Sequence, residues 1–464
     1  MDYRAAVAAV MARGVEWEFD PTLDRIQDLL DLLGEPQRAC PVILVAGTNG
    51  KSSVARMIDA LLTERGLRVG RFTSPHLSAL RERIAIDGEP LSEERFAEVY
   101  ADIEPYLQII DGKHPVRLSF FETLTAMAYS AFADAPVDVA VVEIGMGGTW
   151  DATNVVDPAV AVVTPIGLDH TDYLGDTIED IALEKAGIIK AGSVAVIAQQ
   201  PVEAAEVLLR RAAETGARVV REGLEFGVLR RELAFGGQRL DLRGIYAPYD
   251  EVFLPLFGEH QAANAAVALA AVEVFASGAP TNAVLDPDEV TRGSLTEFAR
   301  EGAAEGALDP ELVRAGFVRV SSPGRLEVVR TGPTVILDAA HNPAGMAATV
   351  RALSEAFGFN RLIAVVAAAA DKDVEGMLEE LEPIVSEVVV TVNSSPRSMP
   401  VADLAELAGS VLGAERVRAA ERLDDAIDLA VGLADEEGEL GGAGVVITGS
   451  VVTAGDARVL LRVK

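Results

Sequence analysis

A chain of 464 residues exceeds what one hydrophobic core usually supports, so two or three domains are expected, and a hydrophobic content of 50% excludes a disordered or fibrous protein. The formal net charge of −32 makes nucleic acid a poor partner, because binding phosphates needs clustered cations. No apolar run approaches the ~20 residues that cross a bilayer, residues 1–7 lack the character of a secretory signal, and one cysteine, Cys40, excludes an internal disulfide. A cytoplasmic protein with neither membrane nor nucleic-acid partners is expected, working as a monomer. Of the 40 basic residues only Lys51, Lys113, Lys185, Lys190, Lys372 and Lys464 are lysines. Acid excess with scarce lysine reads as adaptation to a salt-filled cytoplasm, where the Debye length shrinks to ~3 Å at 1 M.

The first strong element is the apolar run at residues 42–46, which ends in Gly47-Thr48-Asn49-Gly50-Lys51-Ser52 before a helical pattern from Ser53. Gly47 and Gly50 allow a tight turn, so that successive N–H groups can face an anion at a helix N-terminus. Lys51 adds a fixed positive charge and Ser52 a hydroxyl suited to Mg²⁺. The strict phosphate-loop spacing needs glycine where Val45 stands, so only the strand–Gly-x-x-Gly-Lys-Ser–helix core is present.

A strand at 68–72 leads into Thr73-Ser74-Pro75-His76-Leu77 and then Arg81-Glu82-Arg83, where Ser74 offers a neutral oxygen to a hard cation. A strand at 138–144 carries Glu143 at its end, beside Gly145, Gly147 and Gly148, with Asp151-Ala152-Thr153-Asn154 following. Ligands of parallel sheets gather beyond the carboxyl ends of the strands, which places Glu143 to hold Mg²⁺ directly or through water. A strand at 159–164 leads to Leu168-Asp169-His170-Thr171-Asp172, where one of only five histidines lies between two acids. Glu184-Lys185-Ala186-Gly187 reads as a helix end, with Gly187 as C-cap and Lys185 complementing the dipole. Lysine is scarce here, however, and a desolvated lysine can lose its proton and react, as arginine cannot.

After a strand at 193–198, residues 219–227, 229–235 and 239–242 suggest a small antiparallel section. Residues 279–316 carry no strand signal and read as a linker or helical insertion. A second α/β unit is expected from Phe317, with strands at 334–338, 362–367, 387–392 and 444–448. Strands alternating with helices imply mainly parallel sheets covered on both faces. The expected units are 1–295, a connecting stretch 296–316, and 317–464.

In order along residues ~20–460, the segments 46–52, 73–77, 143–148, 151–154, 168–171 and 184–188 resemble those of folylpolyglutamate and dihydrofolate synthases, members of the Mur ligase superfamily. Gly258-Glu259-His260-Gln261 with Asn264, Pro323-Gly324-Arg325, Asp338-Ala339-Ala340-His341-Asn342-Pro343 and Asp371-Lys372-Asp373 extend the likeness. The resemblance implies an α/β chain: a P-loop-type ATPase domain with a small β section, then a Rossmann-like C-terminal domain. It implies ATP on residues 47–52 with Lys51 at the β/γ oxygens, one Mg²⁺ on Ser52, Ser74 and Glu143, and a second held by His170 and Lys185. Lys185 resembles the lysine carbamylated in this superfamily. Asn264, Arg325 and Asp338 are implied nucleotide contacts, and Asp338 and His341 reach the site from the C-terminal domain. The implied reaction joins L-glutamate to a pterin or folate carboxylate through an acyl phosphate.

The chain departs from the family at Thr149-Trp150, where Arg or Lys is common, at Ser322 in place of an aromatic residue, and at residues 367–370, which lack glycine. Residues 281–306 are longer than the family linker. A Mur-type ligase acting on another carboxylate would share the ATP chemistry, but residues 73–77 and 151–154 argue against it. A regulatory P-loop ATPase would need no amino-acid acceptor.

Overall fold

In the computed structural model, residues 1–14, 21–278, 306–435 and 442–463 are described. The first sheet has eight strands: β1 (Val42–Ala46), β2 (Val69–Phe72), β3 (Ile84–Ile86), β4 (Glu89–Pro90), β5 (Val139–Glu143), β6 (Val160–Val163), β7 (Val194–Ile197) and β8 (Arg218–Arg221). Their order is β4-β3-β2-β5-β1-β6-β7-β8. The six from β2 to β8 run parallel, and β3 and β4 turn back antiparallel at one edge. Each central strand is an unbroken apolar run because both faces are covered. Along β1, Val42, Leu44 and Ala46 point into one core, whereas Ile43 and Val45 point into the other. Leu44→Ala would leave a cavity in a fully buried layer, at a cost of ~2–5 kcal/mol.

The helices Tyr3–Met11, Asp24–Leu32, Glu93–Lys113, Phe120–Asp134 and Ile178–Ala186 contribute to the first core. The helices Lys51–Glu64 and Glu259–Ala276 fill the second, beneath an antiparallel sheet of β9 (Gly227–Ala234), β10 (Gly237–Arg243) and β11 (Pro248–Leu254). Residues 219–227 do not open that small sheet as expected. Within them β8 pairs in parallel with β7, because Val219 and Val220 extend the large sheet's apolar layer.

Much of the expected connecting stretch, residues 279–305, lies outside the described residues. Beyond it, the Leu308 amide donates to Tyr249 Oη at 2.8 Å, and the helix Pro310–Val318, capped by Asp309, packs on Lys51–Glu64 and β11. Phe317 and Val320, expected at the head of the second unit, sit in the core of the first, where their apolar side chains meet that helix layer. The C-terminal sheet contains β12 (Glu327–Thr331), β13 (Thr334–Leu337), β14 (Arg361–Val366), β15 (Glu387–Val390), β16 (Val417–Ala419) and β17 (Ala443–Thr448), in the order β12-β13-β17-β14-β15-β16. Only β12 is antiparallel to its neighbour. Loops at the carboxyl ends of β13 and β14 meet loops at the carboxyl ends of β1 and β6, and this junction holds the candidate site. Among the described residues no helix is long and apolar enough to cross a membrane.

Candidate active site

The phosphate loop is built by close approach. At Gly47 (φ +138°) an added Cβ would lie 1.9 Å from Thr164 Oγ1, and at Gly50 (φ +92°) it would lie 2.6 Å from Asn264 Oδ1. Any side chain at either position would push the loop off its supports. Not every amide of the loop faces outward, as the sequence suggested. Thr48 and Asn49 donate to the Pro165 carbonyl at 3.0 and 3.3 Å, tying the loop to the exit of β6. The amides open to an anion are therefore those of the first helical turn, from Gly50 onward. Lys51 begins the helix and folds back, its Nζ donating to Thr48 O at 3.1 Å.

Glu143 ends β5 and is 1% exposed. Its Oε1 accepts from Ser52 Oγ at 2.9 Å and its Oε2 from the Ser74 amide at 3.2 Å, joining three strand exits at one carboxylate. Burial raises its pKa above the ordinary carboxylate value, against the lowering effect of Lys51, the two hydrogen bonds and Arg325. A buried carboxylate held by neutral donors is a natural seat for a cation. Among the described residues no three His, Cys, Asp or Glu side chains form a metal cage. Mg²⁺ does not require one: it keeps water and phosphate oxygens and takes one or two protein carboxylates. Glu143 with Ser52 fits that habit.

On the other side of β1, the loop after β6 carries Asp169 and His170. The Asp169 carboxylate receives the Lys372 ammonium at 2.5 Å and Asn342 Nδ2 at 3.1 Å, with His341 Nε2 3.6 Å away, all from the C-terminal unit. Burial works against its charge, but His341, His170 and Lys372 together hold it well below the usual carboxylate range. Asn342 also donates to Asn49 Oδ1 at 3.2 Å, so the C-terminal rim touches the phosphate loop itself. His170 has a left-handed backbone (φ 54°) and a 40% exposed side chain. Desolvation in the cleft lowers its pKa despite Asp169, which favours a neutral ring.

Lys185 does not serve as the exposed helix-end cation that its position allowed. It is 4% exposed, and burial first, then the charge of Lys51, pushes its pKa down to about 7. Its ammonium makes no hydrogen bond or ion pair among the described residues. Gly187 is the C-cap, yet it is right-handed. The glycine is needed for space, since a Cβ would lie 2.3 Å from Thr149 Oγ1. Gly148 is equally confined, with its Cβ position 2.2 Å from Glu184 O. The glycine turn after β5 thus seats directly on the helix end that carries Lys185, and Asp151 braces it by accepting from the Gly145 and Met146 amides at 2.9 Å.

Asp338 is buried and fully engaged within its own unit. It accepts from the Leu326 amide at 3.1 Å, the Ala340 amide at 3.0 Å and Thr349 Oγ1 at 2.7 Å. These bonds fix the loop that presents Arg325. His341 reaches the cleft, with Nδ1 3.0 Å from Ala339 O. Asn264 stands against Gly50 and is held by Gln261 Oε1 at 3.2 Å. The structure therefore gathers Lys51, Ser52, Ser74, Glu143, His170, Lys185, Asn264, Arg325 and His341 around one cleft. Asp169, Asn342 and Lys372 stood in the motifs but drew no role from sequence. The scarcity of lysine that singled out Lys185 would also have flagged Lys372.

Residues 45–272 match the Mur ligase middle domain and residues 324–451 the Mur ligase glutamate ligase domain. The chain is 50% identical to dihydrofolate synthase/folylpolyglutamate synthase of Mycobacterium tuberculosis, over 97% of this chain and 91% of that one. It is 34% identical to the Bacillus subtilis protein of the same name, over 83% of this chain and 84% of the other. Crystal structures of the Mycobacterium tuberculosis folylpolyglutamate synthase complexed with ADP and AMPPCP superpose with a TM-score of 0.89, covering 99% of both chains at 50% identity.

Proposed function

This chain belongs to the dihydrofolate synthase/folylpolyglutamate synthase family of Mur ligases, and from that premise we propose how its residues divide the work. It is an ATP-dependent carboxylate–amine ligase that adds L-glutamate to a pterin or folate carboxylate. The carboxylate takes the γ-phosphoryl group of ATP, giving an acyl phosphate and ADP. The glutamate amine attacks the acyl carbon, and the tetrahedral intermediate expels phosphate.

Lys51 and the first-turn amides hold the β/γ oxygens and neutralise charge as the phosphoryl group moves. Asn264 and Arg325 flank the nucleotide, and Asp338 serves it indirectly by holding the Arg325 loop. Ser52, Ser74 and Glu143 would hold one Mg²⁺ and His170 with carbamylated Lys185 a second, and these ions would supply Lewis-acid charge neutralisation. The Lys185 environment suits that modification, because CO₂ adds to a neutral amine and burial brings the amine to about 7. Asp169 fixes the facing rim through Lys372 and Asn342, so closure of the two units positions the reactants and keeps water from the acyl phosphate. Both rims come from one chain, which supports a working monomer.

The observation that carries this reading is Asn342, which bonds both the phosphate loop at Asn49 and the β6 exit at Asp169. It supports a reading in which ATP chemistry and the C-terminal unit share one cleft. The test is ATP turnover by the whole chain with labelled L-glutamate and either dihydropteroate or tetrahydrofolate. ADP should form in step with the amide, only when glutamate and one of the two carboxylates are present. Turnover indifferent to glutamate would instead mark a regulatory ATPase.

A further inference from the structure

Two of the arginines buried in this acidic chain rest on carboxylates, Arg25 on Glu122 and Arg71 on Asp59. Arg56 and Arg325 do not. Among the described residues neither side chain has a hydrogen bond or an ion pair, although both are partly buried. They line the same cavity of about 60 Å³, Arg56 from the flank of the Lys51–Glu64 helix and Arg325 from the C-terminal unit. Ser52, Thr73, His76, Glu82 and Ser322 complete its polar wall.

The carboxylates near Arg56 are already committed. Glu82 accepts from the amides of Leu77, Ser78 and Ala79. Glu143 accepts from Ser52 and Ser74 and is the carboxylate that would hold Mg²⁺, and Asp59 accepts from Arg71 and Thr63. A guanidinium presents five donors and no acceptor, and a buried donor without a partner is costly. Two such groups facing one cavity, with hydroxyls but no uncommitted carboxylate, make a fork suited to an oxyanion. The volume admits one compact group.

We propose that Arg56 and Arg325 form a clamp between the two units for a single oxyanion, either a carboxylate of the glutamate or folyl substrate or the phosphate that the reaction releases. The proposal rests on the ligase reading and adds Arg56 to its binding residues. Arg56 stands one helical turn beyond Ser52, so it meets its anion beside the nucleotide phosphates and leaves the nucleotide itself to Lys51, the loop, Asn264 and Arg325, with Arg325 the group shared between nucleotide and anion.

The test is equilibrium dialysis of labelled orthophosphate, L-glutamate and tetrahydrofolate, each against the ADP-loaded whole chain with Mg²⁺. Arg56→Met should weaken one of the three by about ten- to a hundredfold while ADP affinity stays within about twofold. The ligand that loses affinity identifies the source of the anion. Arg56→Lys keeps the charge that neighbouring groups feel but lacks the fork, so it should weaken the same ligand to a smaller degree, and it decides the matter if Arg56→Met does not fold. Wild-type affinity for all three ligands in the folded variant would overturn the clamp. Failure of the ligase reading would appear separately, as wild-type ATP turnover indifferent to glutamate, and would leave these binding ratios readable.

Discussion

Glu143 ends β5 and Asp169 follows β6, the strands on either side of β1, and both carboxylates are largely buried, yet they are held in opposite ways. Glu143 is gripped by a hydroxyl and an amide of its own unit, and burial raises its pKa. Asp169 is gripped by an ammonium, an amide group and a nearby imidazole from the other unit, and its pKa falls. Burial alone does not decide the state of a buried carboxylate; the charge of its donors does. Glu143 has no cation among its hydrogen-bond donors, so it can receive Mg²⁺. Asp169 is already neutralised, and its work is to hold two units together.

Lys51 bears on both sides of this division, since its charge reaches Glu143, His170 and Lys185. Lys51→Ala should therefore have the largest effect, lowering the ligation rate by ~10²–10³-fold. Near wild-type turnover would make the loop a purely structural turn. The Asp169 side is tested by a mutant cycle. Asp169→Asn and Lys372→Met should each lower kcat by ~10–10²-fold through misplacement of the facing rim, with ADP affinity nearly unchanged. The double variant should be little worse than the poorer single one, because both remove the same link. Independent, multiplying losses would show that the pair does not act as a unit.

Lys185 gives a smaller, pH-dependent effect. Its folded pKa of about 7 lies below the ordinary 10.5, so between these values the unfolded chain binds more protons and stability rises with pH. Below pH 7 the full cost of burying a cation is present. In the metal-free, CO₂-depleted chain, where Lys185 is a free amine, Lys185→Met removes that cost, so denaturant unfolding should show a larger stabilisation at about pH 6 than at about pH 9.5, and equal gains would refute the buried-cation account. The smallest effect expected concerns the whole surface. With a net charge of −32, the melting temperature should be higher in molar KCl than in dilute buffer at fixed pH. Equal melting temperatures would mean that the acid excess serves solubility alone.

The large sheet was legible because its strands are continuous apolar runs between glycine-rich exits, and those exits carry Lys51 and Glu143, while Lys185 stands at a helix end. Short or polar edge strands were not: β3, β4, β12 and β16 lack a sustained apolar pattern, and three of the four lie at a sheet edge. The contacts of Asp169 with Asn342 and Lys372 cross 173 and 203 residues of sequence, and no local pattern encodes such a meeting. Arg56 reads from sequence as an ordinary helix position. Only the engagement of Glu82 and Asp59 by other donors, and of Glu143 in the Mg²⁺ seat, sets it apart.

The central claim is that the two carboxylates flanking the phosphate loop do different work. The most direct measurement is a crystal structure of the whole chain with Mn²⁺ and a non-hydrolysable ATP analogue, with the metal located by anomalous scattering. The account expects Mn²⁺ within bonding distance of Glu143 and Ser52, while Asp169 keeps Lys372 and binds no metal. Mn²⁺ on Asp169 with Lys372 displaced, and Glu143 still held only by Ser52 and Ser74, would contradict it.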